Sequence, residues 1–161
     1  MLDCKEFVNA DEITKGLTSF QPDKVTIEAG RIKLNRINEL IKQKVYFAFE
    51  TTLSARTYSH LIKKAQSNGY FVTLVYFWLS SVDLAKERLK PGVICGGYDI
   101  ADETISRRYI TGLENLAKIY SPLCDYWMII DNSEHPSELI AEGFQDKEIQ
   151  FWTGLLACSI I

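Results

Sequence analysis

The sequence predicts an α/β fold: a largely parallel sheet with helices on both faces. Three observations carry this. Strand-like apolar runs alternate along the chain with segments of helical period. The two strongest runs are Val45-Tyr46-Phe47-Ala48-Phe49, continuously apolar, and residues 71–79, apolar except for Thr73; both alternate poorly, the pattern of strands buried on both faces. The chain has 161 residues, 47% of them hydrophobic, and no repeat, low-complexity tract or linker-like shift in composition. That is enough apolar material for one core, so residues 1–161 are read as a single domain.

The elements follow in order. A short strand is expected over residues 6–9. A helix is expected over 23–42, with Val25, Ala29 and Ile32 on its apolar face and Ile37, Leu40 and Ile41 continuing it. The strand 45–49 comes next. A helix starting near Ser54 or Thr57 buries Tyr58, Leu61, Ile62 and Ala65, and Gly69 suits the residue just past its end. Strand 71–79 leads to Ser80 or Ser81 as the cap of a helix carrying Leu84 and Arg88. Pro91-Gly92 should break that helix, and Gly96-Gly97 should form a loop. A helix with Ile105, Tyr109, Leu113, Leu116 and Tyr120 on one face should end at Pro122. Strand 126–130 runs into Asp131-Asn132-Ser133. A short helix over 137–141 and a strand over 148–152 complete the expectation.

Composition excludes several function classes. A net charge of −3 with interspersed signs gives no argument for nucleic acid or an anionic membrane as partner. No segment approaches the roughly 18 consecutive apolar residues of a membrane span. The stretch Met1-Leu2-Asp3-Cys4-Lys5-Glu6 lacks the basic and apolar regions of a secretory signal. Cys4, Cys95, Cys124 and Cys158 form no Cys-x-x-Cys pair, and His60 and His135 stand apart from them. No metal site or disulfide framework is expected, and a reduced cytoplasmic location is the simplest expectation.

Candidate chemistry clusters where strands end. Ligands of open α/β sheets lie at the carboxyl ends of strands. Glu50 and Thr52 follow strand 45–49 directly and suit the hydroxyls of a substrate; the bland alternative is that Thr51, Thr52 and Ser54 cap the next helix. Asp11 follows the first strand and suits a base that accepts a hydroxyl proton, unless it caps the next turn. Arg88, Arg107 and Arg108 flank the Gly96-Gly97 loop, and the planar guanidinium fork suits phosphate. Neighbouring helical residues diverge by about 100°, so Arg107 and Arg108 are not expected to face one ligand together. Asp131 is either a second carboxylate or the start of a turn. None of the nine glycines is followed by lysine, so the Gly-Lys-Ser/Thr phosphate loop is missing from these residues.

Several spaced motifs, in order, carry a resemblance. They are Phe7-Val8-Asn9-Ala10-Asp11, Ala29-Gly30-Arg31, Phe47-Ala48-Phe49-Glu50-Thr51-Thr52-Leu53, Gly96-Gly97-Tyr98-Asp99-Ile100 with Ile105-Ser106-Arg107-Arg108-Tyr109, and Asp125-Tyr126-Trp127 with Asp131-Asn132-Ser133. Together they resemble the zeta toxin-like family of bacterial P-loop kinases over nearly the whole chain. The resemblance implies a three-layer P-loop-kinase-like parallel sheet missing its first strand and phosphate loop, hence an N-terminally truncated domain. It implies ATP and Mg2+ as cofactors, UDP-N-acetylglucosamine as substrate, and an antitoxin as partner. It also implies roles: Asp11 as the base on the sugar hydroxyl, Glu50 and Thr52 in substrate binding, Arg88 on the transferring phosphate, and Arg107 or Arg108 in the lid. The lid departs from the family pattern, with Tyr98-Asp99-Ile100-Ala101 after Gly97, and Lys90-Pro91-Gly92 stands where a second lid arginine belongs.

Without the phosphate loop, the chain as it stands is expected to be an inactive zeta toxin-like small-molecule kinase domain. The alternative is a non-catalytic remnant or binding module for a nucleotide sugar or a protein. The missing strand should leave an open sheet edge, which favours a homodimer or poor solubility.

Overall fold

The computed structural model describes residues 4, 6–17, 22–94, 100–145 and 150–151. It is a mixed α/β structure whose contacts divide the chain into two compact units, Met1–Thr51 and Thr52–Ile161.

The first unit contains β1 (Glu6–Val8), α1 (Ala10–Lys15), α2 (Pro22–Gln43) and β2 (Phe47–Phe49). β1 and β2 pair in parallel, with Val8 opposite Phe49. Asn9 caps α1, its Oδ1 accepting the Glu12 N–H at 3.4 Å, so the capping role considered for Asp11 belongs to Asn9. The buried stripe of α2 is Val25, Ala29, Lys33, Ile37, Leu40 and Ile41, and Ile32 is exposed. Helical geometry sets these positions. At about 100° per residue the stripe centres on position 33, and position 32 lies a quarter-turn away. Strand 45–49 is shorter than expected, because Val45 and Tyr46 are exposed and lie outside β2. Its residues are half-buried rather than buried.

The second unit contains α3 (Thr57–Ser67), β3 (Thr73–Trp78), α4 (Val82–Ile94), α5 (Asp102–Asn115), β4 (Tyr126–Asp131), β5 (Glu138–Phe144) and β6 (Gln150–Phe151). The sheet order is β3-β4-β5-β6. β3 and β4 are parallel, as expected, while β4–β5 and β5–β6 are antiparallel. The helix expected over 137–141 is therefore strand β5. Its inward residues Ala141 and Gly143 face Ile129 and Trp127 in register, and those cross-strand pairs outweigh helix propensity in so short a segment. α4 continues through Pro91-Gly92, where a break was expected. Pro91 removes one backbone donor from the helix, and helical backbone continues to Ile94 nonetheless.

The core of this unit joins Leu53, Ile62, Leu116, Tyr120, Cys124, Trp127, Ile129, Ile140 and Ala141. Val72, Leu74, Tyr76 and Trp78 pack against it from one side of the β3 run. Thr73 and Phe77, on the opposite side, are exposed. Two-sided burial was expected for Val72, Leu74, Val75, Ile129 and Ile130, yet only Ile129 is buried and the others are half-buried. Leu74 and Val75 lie on β3 and Val72 just before it, at the edge of the sheet, whereas Ile130 lies on the inner strand β4 beside the exposed Phe77 and Leu139. α3 ends as the sequence indicates. Gly69 has φ +86°, and the Gly69 and Tyr70 N–H groups bond Gln66 O and Ala65 O, the Schellman pattern.

Candidate functional site

β3 and β4 run parallel, so their carboxyl ends share one edge of the sheet, and that edge is tied down. The Asn132 N–H donates to Trp78 O at 2.9 Å and the Ser80 N–H to Ser133 Oγ at 2.8 Å. Arg88 lies here, exposed, with Nη2 donating to Ser133 O at 2.9 Å. Part of its guanidinium is thus a clamp on the loop after β4. Asp131 Oδ1 accepts the Ser133 N–H at 2.8 Å, which makes Asp131 a turn residue.

α5 crosses above the end of β3, where the Tyr109 hydroxyl donates to Leu79 O at 2.6 Å. Burial raises the pKa of Tyr109, and it pushes Tyr76 up to about 12, with Tyr109 contributing. Further along, the helix meets the 52–55 segment. A Cβ at Gly112 would lie 2.6 Å from Thr52 O, so only glycine permits this approach. Asn115, 2% exposed, donates from Nδ2 to Leu53 O at 2.8 Å and Ser54 O at 3.3 Å. The helix then widens into a π-helical turn over Leu116–Tyr120, closed by the Ser121 N–H on Leu116 O. The Tyr120 hydroxyl at its end donates to Ala55 O. Leu53 sits at φ +57°, a backbone conformation leucine rarely adopts, and these bonds hold it there.

This arrangement opens a cavity of about 290 Å³ lined by Ser54, Ala55, Arg107, Arg108 and Thr111. The Thr52 and Ser54 hydroxyls are linked at 2.9 Å beside it. Arg107 and Arg108 both line the same space, contrary to the expectation that one would turn away. Thr111 follows them by four and three residues, so it lies between them on the helix surface, and two long side chains can border one hollow from either flank. The capping alternative for Thr51, Thr52 and Ser54 does not hold. The N-cap of α3 is Arg56, and no side chain caps it.

In the first unit, Glu50 follows β2 with an exposed side chain. Its backbone carbonyl accepts a hydrogen bond from Nζ of the buried Lys33, which also lies 5.5 Å above the Phe49 ring. An unpaired buried ammonium would cost several kcal/mol, and carbonyl and ring offset part of that. Asp11 is the second residue of α1, and its side chain lies outside the described residues, as does the Gly96-Gly97 loop. Asp11 and Glu50 belong to the first unit; Thr52, Arg88, Arg107 and Arg108 belong to the second.

Sequence reasoning missed Lys33, Gly112, Asn115 and Thr111. A glycine inside an amphipathic helix and a lysine in the middle of an apolar stripe were the available signals. Among the described residues no group of three His, Cys, Asp or Glu side chains comes together to hold a metal ion. Among them also no helix is long and apolar enough to cross a membrane.

An uncharacterized protein of Haemophilus influenzae is 31% identical to this chain over 102 residues, 63% of this chain and 73% of the relative. The chain belongs to the same family as that Haemophilus protein. No family model matches the chain, and no solved structure matches it. Membership of this family assigns no activity, so the functional reading rests on the cavity.

Proposed function

We propose that the chain is a zeta toxin-like phosphotransferase domain, of three-layer P-loop-kinase-like architecture, that binds a nucleotide sugar such as UDP-N-acetylglucosamine and does not transfer phosphate by itself. The observation that carries this is the cavity of Ser54, Ala55, Arg107, Arg108 and Thr111. It brings the segment after Thr52 together with two arginines more than fifty residues away. The resemblance expects this of a substrate motif and a lid. Paired guanidinium groups offer bidentate donors to a diphosphate, and the neighbouring hydroxyls add adaptable ones. Asp11, Glu50 and Arg88 keep the roles that the resemblance implies. ATP, Mg2+ and an antitoxin enter only through it, and a cytoplasmic location accords with it. The lack of a Gly-Lys-Ser/Thr loop in these 161 residues is the reason transfer is not expected.

Calorimetric titration tests the reading. UDP-N-acetylglucosamine should bind, an Arg107→Ala/Arg108→Ala variant should lose at least tenfold in affinity, and ATP should not bind. Absence of UDP-N-acetylglucosamine binding by the unaltered chain would refute the reading. Radiolabel transfer from ATP, abolished by Asp11→Asn, would refute its non-transferring part.

A further inference from the structure

We infer that Gly112, Asn115 and Tyr120 are positioning residues that set the ligand affinity of the cavity by clasping the 52–55 backbone. This rests on the reading that the cavity binds a phosphate-bearing ligand. Four successive carbonyls turn toward one helix. Thr52 O abuts Gly112, Leu53 O and Ser54 O accept from Asn115, and Ala55 O accepts from Tyr120. Arg107, Arg108 and Thr111 sit on that same helix, one turn before the clasp. The clasp therefore fixes the distance between the two walls of the cavity, Ser54 and Ala55 on one side and the α5 side chains on the other.

A free loop would have to be ordered each time a ligand bound, and affinity would fall by the fraction of time it spends elsewhere. The need for a clasp is greatest here because Leu53 holds φ +57°. That backbone relaxes unless neighbours over-determine it. The π-helical turn is part of the device. It widens the last turn before Tyr120, whose hydroxyl reaches Ala55 O while its ring stays fully buried. Asn115 is the one buried side-chain amide among the described residues of this unit. Its two acceptors lie more than sixty positions away in sequence.

Two variants and two readouts test this in the full chain. Tyr120→Phe removes one hydroxyl, and Asn115→Ala removes both amide bonds. The readouts are calorimetric affinity for UDP-N-acetylglucosamine and hydrogen–deuterium exchange of the 53–56 amides. Affinity should fall about fivefold in Tyr120→Phe and at least tenfold in Asn115→Ala. Exchange should accelerate in the 53–56 segment while β3 and β4 keep their protection in Tyr120→Phe. Unchanged affinity and unchanged loop exchange in Tyr120→Phe, in a chain whose binding Arg107→Ala/Arg108→Ala abolishes, would overturn the clasp alone. So would exchange that rises uniformly through the unit, since a merely structural residue acts that way. Binding indifferent to the arginine variant, or no binding at all, overturns the site and the clasp with it.

Discussion

Gly112→Ala separates two opposed effects whose signs differ. In a helix interior, alanine is favoured over glycine by about 1 kcal/mol. If α5 were simply a helix lying on the sheet, the variant would be stabilised by that amount. Here the added Cβ would lie 2.6 Å from Thr52 O, whereas ordinary contacts begin at 3.4 Å. Helix and loop must therefore part by about 0.8 Å. The loop has little slack, because Leu53 O and Ser54 O are bonded to Asn115 just three residues along the same helix. Overpacking of this kind costs about 1–3 kcal/mol. The net expectation is a destabilisation of roughly 1 kcal/mol, or about 3 °C in Tm for a chain of this size. Urea denaturation followed by circular dichroism measures it, with the midpoint falling at constant slope. A Gly112→Ala protein more stable than its parent would refute the close approach of α5 to Thr52.

Gly143→Ala should destabilise by about 1–3 kcal/mol, because a Cβ there would lie 2.7 Å from the buried Trp127 ring, and near-ultraviolet circular dichroism should report the displaced indole; an unchanged spectrum with unchanged stability would contradict the β4–β5 register. Alkaline pH should unfold the second unit. Burial pushes Tyr76 and Tyr120 from 10 to about 12, so the folded state holds these protons more tightly than the unfolded one. Their contribution to stability is whole below pH 10 and is lost as pH rises toward 12. Chemical denaturation at stepped pH should show that decline, and a Tyr76→Phe variant with the same alkaline dependence would count against it.

Elements that express local preference were legible in the sequence. The helix of α2, the Schellman turn at Gly69 and the strand character of β3 and β4 each follow from period, glycine or apolar density over a few neighbouring residues. β5 was misread as a helix because its strand state comes from pairing with β4, a partner several residues away. β3 was expected to be buried on both faces because its apolar density is high, but density does not tell which face of a strand is covered. Ile32 was placed on the apolar face of α2 but is exposed, because the face can be outlined to one residue only when the centre of the stripe, at Lys33, is known.

For the candidate site, the residue types were written in the sequence and their company was not. Arginine at 107 and 108 and hydroxyls at 52 and 54 are hydrogen-bonding groups wherever they lie, because guanidinium and hydroxyl chemistry is local. That Ser54 shares a cavity with Arg107 and Arg108 depends on Gly112, Asn115 and Tyr120 docking a helix onto four carbonyls. Those bonds span 60 residues or more. Contacts at such separation leave no periodic trace in a single sequence, since each is satisfied by one side chain at one point. Tertiary structure alone decides them, because only the folded chain brings donor and carbonyl within hydrogen-bonding distance.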